Sequence, residues 1–264
     1  MSLNLNNNLK IMGILNITPD SFYDGGNFNS LNIKNKFNKV ISSDIIDIGA
    51  ESTQPGAKPL SEKQELERIE KFLNLNLDHN CLSIDSYKPK VIEFCLNNGF
   101  NMINDISGGG DNFTNIDIAF KYNVPIVLMH MKGNPTNMQI KPKYNNLIDE
   151  ISYFFETRLN YISKIGLSIK NIILDPGIGF GKTFNDNYEI IKKINNFKKF
   201  NCRILIGLSR KSMLNFNGNS PHQRLYKSLS MQAVSVLNGA DIIRTHDPVE
   251  TRDSLEPILE LKKY

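Results

Sequence analysis

The 264-residue sequence contains no tryptophan and only three cysteines, Cys81, Cys95 and Cys202, which are widely spaced and form no C-x-x-C pair. Such a set offers neither a disulfide framework nor the ligand spacing of a structural zinc site, and it suits a reducing cytosol. Long apolar runs of membrane-spanning length are absent as well. The first residues, MSLNLNNNLK, have neither the basic nor the apolar region of a secretory signal, so a cytoplasmic location is expected. Charge of one sign is also in short supply. Lys and Arg total 31 against 27 for Asp and Glu, which leaves a formal charge of +4 spread along the chain without a basic block. Nucleic acid and membrane are therefore not expected partners. No linker or low-complexity segment divides the sequence, and one domain spanning 1–264 is expected.

What the sequence does have is a series of short apolar runs bounded by turn residues: KIMGILN (10–16), IIDIGA (45–50), CLSIDS (81–86), NMINDIS (101–107), PIVLMH (125–130), NIILDPG (171–177), RILIGLS (203–209) and DIIRTH (241–246). Each is continuous in apolar residues rather than alternating, the pattern of a parallel strand covered on both faces. Helical segments lie between them. SEKQELERIEKFLNLNL opens with Ser61 three residues before Gln64, a capping box, and places Leu66, Ile69, Phe72 and Leu73 on one face. The segment from Leu147 to Ile165 ends at Gly166, a C-cap residue, and 88–98, 184–197 and 222–238 are further helical segments. Eight strands alternating with helices predict an α/β fold, a single (β/α)8 TIM barrel.

Polar residues terminate each strand: Asn16, Asp47, Asp85, Asn104 with Asp105, His130, Asp175, Ser209 with Arg210 and Lys211, and Arg244 with His246. In a barrel these tips converge on the C-terminal face, where active sites of this architecture lie. Capping of the following helix accounts for a single Asp or Asn, but not for Arg, His and Lys at successive tips. Asp85, Asn104 and Asp175 suit the N–H groups of a flat heterocycle. Lys211, Arg244 and His246 sit on the seventh and eighth strands, the usual phosphate side. Asn16 is a hard oxygen donor suited to Mg²⁺ shared with a substrate phosphate. The loops NITPDSFYDGGNFNS and ESTQPGAKPL, rich in Gly, Pro, Ser and Thr, are expected to be mobile loops at this face.

The stretch ILDPGIGFGKT ends in Gly-Lys-Thr after an apolar strand, as a nucleotide-binding P-loop does. Five positions before Gly181, where that loop needs a glycine, stands Pro176, which has no N–H to offer a phosphate. Asp175 before it would repel one. The spacing of Gly177, Gly179 and Gly181 also misses the dinucleotide fingerprint by one residue.

MGILNITPDSFYDGG, DIIDIGAEST, LSIDSYKP, NDISGG, PIVLMHMKG, ILDPGIGFGK, IGLSRKS and IIRTHD closely resemble, in order and across nearly the whole chain, the bacterial dihydropteroate synthases. The resemblance implies a (β/α)8 barrel that joins 6-hydroxymethyl-dihydropterin diphosphate to p-aminobenzoate in folate synthesis, releases pyrophosphate, uses Mg²⁺, forms a cytosolic homodimer and is a sulfonamide target. It further implies that Asp85, Asn104 and Asp175 hydrogen-bond the pterin ring, with Met129 and Phe180 packing beside it. By the same resemblance Lys211 contacts the pterin and borders the p-aminobenzoate pocket, and Ser212 holds the p-aminobenzoate carboxylate at a helix N-terminus. Arg244 and His246 grip the diphosphate, with Arg244 over the ring; Asn16 binds Mg²⁺; Thr53 belongs to the second loop. The catalytic set so implied is Lys211, Arg244, His246 and Asp85.

One departure from the family pattern stands in that loop, where Gln54 replaces the usual arginine of Glu-Ser-Thr-Arg-Pro-Gly. The change removes a cation and predicts weaker substrate binding or slower turnover. Two other readings remain open from the residues: a pterin-binding barrel without efficient catalysis, and a barrel that moves a methyl group from a folate to a corrinoid. Asn16, Lys211, Arg244 and His246 together speak against the first, and the pairing of GLSRKS with RTHD against the second.

Overall fold

The structure, a computed structural model, describes residues 9–18, 23–24, 27–28, 30–51, 59–134 and 137–263. Eight parallel strands close a barrel: β1 Lys10–Asn16, β2 Ile45–Gly49, β3 Leu82–Asp85, β4 Met102–Asp105, β5 Ile126–Met129, β6 Ile172–Asp175, β7 Arg203–Ile206 and β8 Ile242–Thr245. Each hydrogen-bonds to its sequence neighbours, and β1 pairs with both β2 and β8 to complete the ring. All eight expected strands are present, β1 with the expected bounds and the others up to three residues shorter at an end. A helix follows each one: α1 Ser30–Val40, α2 Glu62–Leu73, α3 Pro89–Asn97, α4 Thr114–Tyr122, α5 Leu147–Ile165, α6 Phe184–Lys192, α7 Leu225–Leu237 and α8 Pro248–Leu261.

Local chemistry sets several of these bounds. The capping box of α2 is formed, with Ser61 accepting from the Gln64 amide and Gln64 bonding back to Ser61. Gly166 ends α5 in the left-handed conformation at φ +81°. Helices α1, α4 and α8 were not among the segments expected from the sequence, and two that were expected differ in extent. The helix expected over 184–197 stops at Lys192, and Ile194–Phe200 continues as 3-10 turns, where Asn195 and Asn196 are weak helix formers. The helix expected over 222–238 opens with a 3-10 turn at Pro221–Arg224 before α7.

The outer faces of the strands, among them Ile46, Ile48, Ile84, Ile103, Leu128, Leu174, Ile204 and Ile243, pack against the helices in one continuous core. A second, separate cluster fills the lumen near the N-terminal strand ends: Met12, Ile45, Cys81, Met102, Val127, Ile173, Leu205 and Ile242. Side chains alternate across a strand, so the residue two positions on from each of these again faces the lumen. That next layer reads Ile14, Asp47, Ser83, Asn104, Met129, Asp175, Gly207 and Arg244, and the one above it Asn16, Gly49, Asp85, Ile106, Met131, Gly177, Ser209 and His246. The lumen therefore turns from wholly apolar to predominantly polar along its axis.

Candidate active site

The polar layers bring together most of the residues singled out from the sequence. Arg244, on β8, is central: its Nε donates to Asp47 Oδ2 at 2.7 Å and its Nη2 to Asp85 Oδ2 at 2.6 Å. Asn104, level with Asp85 in the β3–β4 register, donates through Nδ2 to the same Asp47 oxygen at 2.7 Å. Burial alone would lower the pKa of Arg244, but the charges of Asp47 and Asp85 more than offset that loss of hydration and leave it raised. Burial likewise pushes the Asp85 carboxyl up, with Arg244 pulling it back. Among the described residues, the second oxygens, Asp47 Oδ1 and Asp85 Oδ1, are buried without a hydrogen-bond partner. A buried orphan acceptor is costly, and a ligand carrying N–H groups satisfies it.

Asp47 corrects the sequence reading. It was expected at a strand tip, but it lies in the middle of β2 and is wholly buried beneath Arg244. No role was expected of it; the signal for its inward position was its place two residues on from lumen-facing Ile45.

Across the lumen, Met129 and Asp175 are register partners on β5 and β6, both buried. Asp175 Oδ1 accepts from the Gly177 amide at 2.7 Å, while burial raises its pKa and Lys211 draws it down. Lys211 reaches over the loop after β6, donating to the Ile178 carbonyl with its Nζ 4.7 Å from the Phe180 ring centroid. Burial lowers its pKa to about 8, against the attraction of Asp175. His246 bonds Ser209 Oγ through Nδ1 at 3.1 Å. Although the residue is exposed, lost hydration and then Arg244 and Arg210 bring its pKa down to about 4, which favours a neutral imidazole near pH 7.

Phe180, Lys211, Ser212, Arg244 and His246 all line one cavity of about 890 Å³ at the C-terminal face. Arg210 fixes its wall by pairing with Asp247 and by a 2.8 Å contact to His222 Nδ1. Ser212 is exposed and is the first residue of a short 3-10 helix, Ser212–Leu214, and α7 begins at Leu225.

Thr53 and Gln54 lie outside the described residues. So does most of that loop, whose end is fixed by Glu51: its carboxylate accepts from the Leu60 amide and from Lys88, which also bonds Glu65 at 2.6 Å. In the loop after β1, Tyr23–Asp24 pairs antiparallel with Asn27–Phe28. Asn16 sits exposed at the tip of β1, and a Cβ placed on Gly49 would lie 3.4 Å from its Oδ1 and 3.5 Å from Asp85 Oδ2. No group of three or more His, Cys, Asp or Glu side chains among the described residues forms a metal cage. One exposed amide oxygen beside a carboxylate fits Mg²⁺ carried in on substrate oxygens, since that ion keeps most of its shell as water and phosphate.

A parallel barrel with carboxylates, an amide, a lysine and an arginine over its C-terminal mouth is built to recognise a flat polar ring attached to an anion. Residues 12–246 match the family of pterin binding enzymes. Over 254 residues the chain is 37% identical to the dihydropteroate synthase of Escherichia coli K12, covering 94% of this chain and 90% of that one. With the dihydropteroate synthase of Clostridium beijerinckii it shares 39% identity, covering 94% and 92%. The crystal structure of Yersinia pestis dihydropteroate synthase in a sulfonamide drug complex superposes with a TM-score of 0.89 at 34% identity, covering 100% and 97%. The chain belongs to the pterin-binding enzymes, in their dihydropteroate synthase family.

Proposed function

We infer that this chain condenses 6-hydroxymethyl-7,8-dihydropterin diphosphate with p-aminobenzoate, giving 7,8-dihydropteroate and pyrophosphate. The observation that carries the reading is the Asp85 carboxylate, held through one oxygen by Arg244 and left with the other unpartnered next to Asn104. That free oxygen is an acceptor for ring N–H groups, and Asp175 supplies a second from the opposite wall.

Chemically, the C–O bond to the diphosphate breaks with its electron pair leaving on pyrophosphate. The p-aminobenzoate nitrogen forms the new C–N bond to the ring methylene and then releases a proton. An aniline nitrogen is already neutral at pH 7, so no strong base is required. The protein's part is to align the two substrates and to stabilise the charge on the leaving group, through the Arg244 guanidinium and the His246 N–H. Lys211 and Phe180 border both the ring and the p-aminobenzoate pocket, where a sulfonamide would compete. Asn16 would hold Mg²⁺, which when bound neutralises diphosphate oxygens.

A cytoplasmic homodimer is part of this reading. No helix among the described residues is long and apolar enough to cross a membrane. Exposed apolar residues on the last two helices, Leu237 on α7 with Val249 and Leu261 on α8, favour a second copy of the chain as partner. Pyrophosphate release by the purified protein tests the reaction: it is expected to require both p-aminobenzoate and Mg²⁺. Ring binding without release would make the protein a pterin binder and overturn the assignment.

A further inference from the structure

Lys182, the lysine of the Gly-Lys-Thr run, lines the cavity, yet it is 3% exposed and faces inward. Its Nζ lies 2.9 Å from the Phe180 carbonyl, 3.2 Å from the His130 carbonyl and 3.0 Å from His130 Nδ1. His130 follows β5, and Phe180 is in the loop after β6. The ammonium thus staples the ends of two neighbouring strands together at the level of the site.

Around that staple the segments after β5 and β6 are in backbone contact. A Cβ on Gly177, at φ +73°, would stand 1.9 Å from the His130 carbonyl oxygen, and one on Gly181 would stand 2.3 Å from that of Lys132. Only glycine permits this approach. Tyr144 adds a bond from its hydroxyl to the Gly181 carbonyl at 2.7 Å, and Gln139 one to the Gly179 carbonyl at 2.6 Å. The segment fixed in this way carries the Phe180 ring and the Ile178 carbonyl, the two groups on which Lys211 rests.

We propose that Lys182 is a positioning residue for the reaction inferred above: it sets the loop that aims Phe180 and Lys211 at the pterin ring, and does not itself bind phosphate. Three internal acceptors take up the three N–H groups of its ammonium. Burial lowers its pKa to about 7 against the pull of Asp175, and Lys211 adds repulsion, which makes it a poor phosphate cation near neutrality. Burial and the charges of Lys182, Arg158 and Lys132 keep His130 neutral, with a pKa near about 2. A neutral imidazole can accept or donate at Nδ1, so both protonation states of Lys182 retain its two carbonyl bonds.

Calorimetric binding of two probes to the full chain separates positioning from phosphate contact: 6-hydroxymethylpterin, which has no phosphate, and inorganic pyrophosphate. Failure of the unmodified chain to bind the pterin would overturn the functional reading and this proposal together. Given that binding, Lys182→Met is expected to weaken pterin affinity about tenfold and leave pyrophosphate affinity within about twofold. Lys182→Gln keeps N–H donors without charge and is expected to recover pterin affinity to within about threefold of the unmodified chain. Loss of pyrophosphate binding with pterin binding intact would overturn the proposal. So would a lowered melting temperature with both affinities unchanged, or Lys182→Gln behaving as Lys182→Met does. Amine acylation of the unmodified chain, mapped by mass spectrometry, gives a reading that needs no variant. Lys182 is expected to stay unmodified with and without pyrophosphate; reactivity that pyrophosphate suppresses would overturn the assignment.

Discussion

The two ends of the barrel lumen use the same eight strands for opposite purposes. At the N-terminal end the lumen is filled by Met12, Ile45, Cys81, Met102, Val127, Ile173, Leu205 and Ile242, all buried apolar or thiol side chains. One step up each strand, β2, β4, β6 and β8 present Asp47, Asn104, Asp175 and Arg244 instead. The lower layer gains stability from apolar burial, about 25 cal/mol per Å². The upper layer forgoes it: charges taken out of water cost free energy that ion pairing only partly returns. Residues kept under that cost at a cavity mouth mark where function resides.

The contrast can be broken most forcefully at Arg244. Arg244→Met leaves Asp47 and Asp85 buried without their cation, and is expected to destabilise the fold by about 3–5 kcal/mol. The same change is expected to lower kcat/KM by roughly a thousandfold, in line with loss of a group that stabilises leaving-group charge. Denaturant melts and steady-state kinetics on the variant measure both. In the lower layer the two effects come apart. Ile173→Ala is expected to cost about 2–5 kcal/mol by opening a cavity, with KM for both substrates within about twofold at a temperature where the variant is folded.

A pH profile sharpens the comparison without mutation. Lys211 carries its charge below a pKa of about 8 and loses it above. Affinity for the dihydropterin diphosphate is therefore expected to fall as pH rises through that value, whereas an unperturbed lysine would hold it well beyond. A flat profile from pH 7 to about 9.5 would count against Lys211 as a substrate contact. The smallest change is expected at Gln54: Gln54→Arg restores the family's cation and should improve kcat/KM by roughly two- to fivefold, the scale of a single weak charge contact. Equal kinetics would make the substitution neutral.

Much of this was legible in the sequence because a strand covered on both sides reads as a continuous apolar run, and all eight strands read that way. The polar residues at their ends pointed to the mouth of the barrel, and Asp85, Asn104, Asp175, Lys211, Arg244 and His246 gather there. The same continuity hid which side of each strand faces inward. Asp47 was accordingly placed at a tip, when its register two residues on from Ile45 puts it in the lumen beneath Arg244. Lys182 was read only through the rule for phosphate loops; that it turns inward depends on the approach of the His130 backbone, a contact between segments some 50 residues apart in the chain. The helix at Ser212 proved to be a single 3-10 turn, too short for a sequence pattern to distinguish from a loop. Helix α1 was missed because only Ile33, Phe37 and Val40 of its residues are buried, too sparse a stripe among Asn and Lys.

The most direct measurement is a crystal structure of the full chain with the dihydropterin diphosphate bound. The division of the lumen predicts ring N–H groups on Asp85 and Asp175, Asn104 beside them, and the diphosphate against Arg244 and His246, with the lower apolar layer unmoved. A ring seated elsewhere on the barrel, or a diphosphate gripped by Lys182, would contradict it.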